Sequence, residues 1–168
     1  MQWLARARGI FERLLEAILI FSMVALTVVV VVAVVYRKAG ASLAWYDEVA
    51  SIMLAWVTYY GAALAALKRG HIGFDGLVLA VPLPWRMVLV AVAEVAVFGF
   101  FILMAWTGWV VLEVLEGDTL VSLPAVSVQI TQSVMPIGAV LFMVAEALSL
   151  PQHWRSIRAA SGPHGAPP

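Results

Sequence analysis

Between Glu16 and Arg37 the chain carries no charged side chain, and the run closes on VVVVVAVV, residues 28–35. Valine favours strands where water can satisfy a sheet edge. In hydrocarbon no water is present to pair with backbone N–H and C=O groups, so an unbroken apolar run of this length has only the helix open to it. About 20 such residues cross the hydrocarbon core of a bilayer. Three more stretches reach that length: Val49–Leu67, Met87–Leu112 with Glu94 as its one charge, and a last one between Asp118 and Glu146. Pro124 sets the expected start of the fourth helix near Ala125.

Composition removes the alternatives. Only 12% of the 168 residues are charged, where a soluble domain carries about 25%. Strand-type alternation over about ten residues, the mark of an outer-membrane barrel, is absent. There is no cysteine, which excludes disulfides, iron–sulfur clusters and thiolate zinc sites. The expected fold is all-α: an integral membrane bundle of four transmembrane helices with short interfacial helices. The spans are placed at about 14–36, 48–67, 87–112 and 125–150. A cytoplasmic arm, residues 1–13, has Trp3, Ile10 and Phe11 among arginines and suits a membrane surface. Residues 151–168 form a cytoplasmic tail with a disordered end.

Orientation follows from the cations. Arg6, Arg8, Arg13, Lys68, Arg69, Arg86, Arg155 and Arg158 fall on one side of the four spans; Arg37 and Lys38 fall on the other. The third connection, EVLEGDTLVSLP, holds three acids and no cation. Cytoplasmic flanks collect Lys and Arg, so both termini are expected inside. A small-x-small pattern in RKAGAS resembles a cleavage site after Ala41, but the preceding apolar run is too long for a signal peptide and two cations stand before the site. The second connection is too apolar for a solvated loop. It reads as an interfacial helix over about 74–82, capped by Asp75 and ended by Pro82 and Pro84.

Chemistry finds few candidates. Haem needs histidines inside the spans, and His71, His153 and His164 lie outside them. No metal cluster, nucleophile set, phosphate loop or nucleic-acid groove is legible, so no enzyme, cofactor or metal site is expected. Glu94 is the deepest carboxylate. Buried acids in lipid are costly and often functional, so it is a candidate proton carrier. Against that, no second acid is expected at its depth, and a paired or protonated carboxyl explains it as well. Glu16 and Glu146 are expected to reach headgroups from the ends of their spans. On the second span Thr58, Gly61, Ala62 and Ala65 share a small face that lets helices approach closely. On the fourth, Gln129, Gln132, Ser133 and Pro136 share a stripe whose amides should meet protein, of this chain or of another subunit. Pro136 is expected to kink its helix or release a carbonyl.

The second span reads WYDEVASIMLAWVTYYGAALAALKRGHIGFD. Trp45, Asp47, Glu48, Trp56, Gly61, Arg69, Gly70, His71 and Asp75, with Pro136 and Gly138 of MPIGAVL, resemble the small membrane subunit of TRAP transporters, the DctQ-type family. Gly73-Phe74 departs from the more polar residues typical there. The resemblance covers roughly residues 10–150 and implies a tripartite system. In that system a periplasmic binding protein captures an organic anion, and a large multi-span subunit moves it with sodium. The small subunit, in the bacterial inner membrane, braces the large one and helps dock the binding protein. The expected partners are therefore those two proteins and lipid, with no nucleic acid. The competing reading is a self-sufficient proton-coupled exporter, acting as an oligomer through Glu94.

Independently of family, LKRGHIGFDG has a local role. Lys68 and Arg69 oppose the negative C-terminal dipole of the second helix, and Gly70 suits a left-handed cap.

Overall fold

The computed structural model describes residues 2–68 and 82–159. Four of its helices are long and apolar enough to cross a membrane. They are α1 (Gln2–Lys38), α2 (Tyr46–Lys68), α3 (Leu83–Val114) and the pair α4 (Val128–Gln132) and α5 (Val134–Ala159), which together make the last span.

Their ends depart from the sequence expectation for identifiable reasons. The arm at residues 1–13 is not a separate element from Gln2 on: α1 runs unbroken through it for 37 residues, about 55 Å of helix. Side chains on that arm are tied to α2, which extends the helix beyond the apolar run. At its far end α1 stops in a Schellman turn. Gly40 takes φ +82°, its N–H bonds Arg37 O, and Ala41 N–H reaches back to Tyr36 O. Pro84, expected to end an interfacial helix, instead sits in the first turn of α3, with Pro82 as its extended N-cap. A proline is at home there because first-turn N–H groups have no helical acceptor. The rest of the expected interfacial helix, 74–81, lies outside the described residues.

The last span starts three residues later than Pro124 suggests. A short antiparallel bridge between Thr119 and Ser127 holds this stretch extended, and Ser127 then caps α4 by accepting Gln129 N–H at 3.2 Å. Pro136 interrupts the helix as its chemistry requires. It has no N–H for the Gln132 carbonyl, and the break between α4 and α5 falls at Ser133. The helical ladder holds on both sides, through Ser133 N–H to Gln129 O and Ile137 N–H to Ser133 O.

The helices form an open row rather than a ring around one core. α2 packs along α1 on one side and α5 on the other, and α5 packs in turn along α3. α1 meets α5 only lightly, and α3 makes no comparable contact with α1 or α2. The order across the row is α1–α2–α5–α3. Close approach marks the two inner seams. A Cβ on Gly138 would fall 2.6–2.9 Å from the Tyr59 side chain, and one on Gly108 would fall 2.9 Å from Pro136 Cδ. Helices gain van der Waals contact in lipid where a missing side chain lets them meet. Toward the Lys68 end the row draws together. Ala66, Leu67, Phe142 and Ala145 form a buried cluster flanked by Phe11, Val97 and Phe101. Phe101 stacks on Phe142 with centroids 3.8 Å apart and planes 11° from parallel.

Candidate functional site

Two sets of polar contacts hold the row, one at each end. At the acidic end, Glu48 lies in the first turn of α2, where a helix N-terminus favours negative charge. Its carboxylate crosses to the loop between α3 and α4. It accepts the backbone N–H of Ser122 at 2.9 Å and of Val121 at 3.2 Å, and the Ser122 hydroxyl donates to it as well. The loop is built for that capture. Gly117 turns the chain at φ +90°. Leu120 N–H to Val126 O and Val128 N–H to Asp118 O, both 3.0 Å, pin the bridge. Leu120 is buried beneath it. Gln129 then ties α4 to the end of α3 by donating to Leu112 O at 2.8 Å. On the neighbouring corner, Arg37 donates to the Tyr46 hydroxyl and lies over its ring, 5.2 Å from the centroid.

At the basic end α1 grips α2. Arg8 donates to Leu67 O at 2.9 Å, filling one of the carbonyls a helix C-terminus leaves open. Lys68, just beyond the span, donates to Glu16 and lies 3.4 Å from Glu12. The hydrogen bond to Glu16 chiefly holds the lysine above its ordinary pKa. Glu16 therefore turns to α2 rather than to headgroups. Arg86 and Glu146 are buried at 7% and 6% exposure, and Ser149 is fully buried, its hydroxyl on Glu146 O at 2.9 Å. The expectation that Glu146 reaches headgroups from a helix end does not hold. α5 continues to Ala159 and sits inside the row, so the side chain is enclosed.

The register of α3 on α5 revises the reading of Glu94. The Phe101–Phe142 stack and the Gly108–Pro136 contact show the two helices antiparallel. Glu94 therefore comes level with Ser149, and Glu146 with Val97, about 4.5 Å away along the axis. A second acid does stand near its depth. The glutamines do not. Gln129 bonds Leu112, roughly 27 Å along α3 from Glu94. The structure thus brings no chamber together from Glu94 and the glutamine stripe. An open groove of about 490 Å³ between α3 and α5 is lined by mostly apolar side chains, among them Trp106, Trp109, Pro136 and Met143.

The remaining sequence candidates are distributed over the row. Trp45 lies in the turn before α2, where its carbonyl accepts Val49 N–H, and Asp47 is exposed beside it. Trp56 and Tyr60 pack ring to ring at 5.6 Å. Gly138 lies against Tyr59, whereas a Cβ placed on Gly61 would meet only Leu19 Cδ2, 3.9 Å away. Ala62 packs on this chain's own cluster. Thr58 bonds Leu54 O of its own helix, and Ala65 is half-buried. Ser133 bonds Ile130 O, while Gln132 faces outward. Arg69, Gly70, His71 and Asp75 lie outside the described residues. Two contributors escape the sequence reading. Gly108 has a signal, a glycine between Thr107 and Trp109 near the end of an apolar span. The buried Arg86 has none beyond its charge.

The family model described as "Tripartite ATP-independent periplasmic transporters, DctQ component" matches residues 26–156. That stretch takes in Glu48, the loop it holds, and both inner seams of the row. No curated protein matches the chain.

Proposed function

Since the chain belongs to the DctQ-component family of tripartite ATP-independent periplasmic transporters, we propose that it is the brace of such a transporter. It is fixed beside a large membrane subunit that carries the substrate. The observation that carries this reading is the open row. Its polar side chains clasp neighbouring helices together, and the groove between α3 and α5 is lined by apolar residues. An elevator-type subunit needs a stationary frame, and a row of helices pinned at both ends widens one. The sodium and organic-anion sites belong to the partner. Eight of ten cations favour both termini in the cytoplasm and the Glu48 end in the periplasm, in a bacterial inner membrane.

Reconstitution tests the proposal. Vesicles holding this chain alone are expected to show no uptake. Vesicles holding it with the large subunit, supplied with binding protein and a sodium gradient, are expected to accumulate an organic acid. Uptake by the chain alone would refute the brace. Glu94→Gln separates it from an exporter: coupled transport is abolished if Glu94 carries protons, and only stability changes in a brace.

A further inference from the structure

We infer that the row sits obliquely in the bilayer, so that its hydrocarbon-facing band slants from the Glu48 end on α1 to the Lys68 end on α3. The inference goes beyond the brace reading and does not use it. It starts from register. A Cβ on Gly61 would meet Leu19, Gly138 lies on Tyr59, and Gly108 lies on Pro136. Counting along the helices from these contacts brings Leu19 of α1, Gly61 of α2, Val140 of α5 and Met104 of α3 to one level. From that level the uncharged stretch of α1, residues 17–36, reaches about 25 Å toward the Glu48 end but only about 3 Å toward the Lys68 end. On α3 the proportions reverse: residues 87–112, interrupted by Glu94, reach about 12 Å and about 25 Å. In the middle of the row, residues 49–67 of α2 fall between, at about 18 Å and about 9 Å.

The aromatic side chains repeat the stagger independently. Indole and phenol rings favour the headgroup layer. Tyr36 marks it on α1 and Trp109 on α3, both exposed, yet Trp109 lies about 18 Å nearer the Lys68 end. No upright bilayer satisfies both edges. One centred on the α1 stretch leaves Val88, Leu89, Val92 and Val95, all exposed, in water, and puts Glu113 close to its midplane. One centred on the α3 stretch draws Arg8, Glu12, Arg13 and Glu16 into hydrocarbon, where a charge is costly. The centres of the two stretches differ by about 18 Å. The edges of the row are three interhelical spacings apart, roughly 24–30 Å. A slant of roughly 35° brings both stretches into one slab and lies within the range that membrane helices adopt. The two edges then offer apolar bands at different heights to any neighbour.

The chain has no cysteine, so single cysteines report depth directly. Ile10 on α1 is level with Val95 on α3, and Val28 with Val114 to within about one residue; all four are exposed. In vesicles of the full chain, a nitroxide is attached at Ile10→Cys, Val95→Cys, Val28→Cys or Val114→Cys. Collision with oxygen, which concentrates in hydrocarbon, is compared with collision with a water-soluble nickel chelate. Positions 95 and 28 are expected to favour oxygen, and positions 10 and 114 the chelate, with about 15 Å of depth between the members of each pair. Polarised infrared dichroism of the unsubstituted chain in oriented bilayers is expected to give a mean helix tilt of roughly 35°. Equal depths within each pair, or a mean tilt below about 20°, would overturn the slant. Neither readout involves a partner subunit, so the brace reading stands or falls separately.

Discussion

The last span and α1 present the same credential to a bilayer and end in opposite situations. Both are apolar enough to cross it, yet 39% of the most apolar stretch of the last span is buried against only 6% of that of α1. Apolarity decides insertion; it does not decide who packs on whom. In lipid a valine gains little by moving from acyl chains to protein. Packing instead follows missing side chains and local breaks. α5 has Gly138 against Tyr59 and Pro136 against Gly108. α1, with valines exposed along most of its apolar run, is tied to α2 by Arg8, Glu12 and Glu16 at one end and by Arg37 on Tyr46 at the other.

The contrast breaks most readily at Gly138. Gly138→Val drives methyl groups into the Tyr59 ring and is expected to cost about 1–3 kcal/mol, seen as lower thermal stability and loss of a single elution peak in detergent. Gly108→Ala comes next. Its methyl meets the rigid Pro136 ring rather than a mobile tip, and about 1 kcal/mol is expected by the same measurement.

The polar hold on α1 is tested by pH. A lysine whose pKa rises on folding contributes stability that is complete below its unfolded value and is lost as pH climbs through the folded one. For Lys68 that window lies above the ordinary lysine range. Spin-label distances between α1 and α2 should stay fixed through neutral pH and broaden in strong alkali, with Lys68→Met broadened throughout. The smallest effect belongs to Gly61→Ala, where the new methyl has only Leu19 at 3.9 Å. A change within about 0.5 kcal/mol is expected. A large loss there would mean that the α1–α2 seam is as tight as the inner ones.

The spans are legible in the sequence because a long uncharged run has one solution in hydrocarbon. The order of the row is not, because lipid-facing and protein-facing sides of these helices are equally apolar and leave no periodic mark. Gly138 stands out through its motif, but Gly61 belongs to the same family pattern and makes no comparably close approach. A glycine reveals its purpose only when its neighbour is known. Pro136 is legible to within a turn, since its missing N–H names the carbonyl it deprives. Glu146 misleads because the helix outruns the apolar stretch, and an acid that reads as part of the rim is enclosed. Glu48 is visible as a motif residue, yet its role emerges only when a loop 73 residues away folds back onto it.

The place of α5 between α2 and α3 has a consequence for biosynthesis. The helix that fills the middle of the row is made after both of its neighbours, so α2 and α3 enter the membrane with nothing between them. Until it arrives, Tyr59 and Gly108 wait against acyl chains. A nascent chain halted before residue 134 should therefore be inserted but unassembled, exposed to membrane proteases that the finished protein resists.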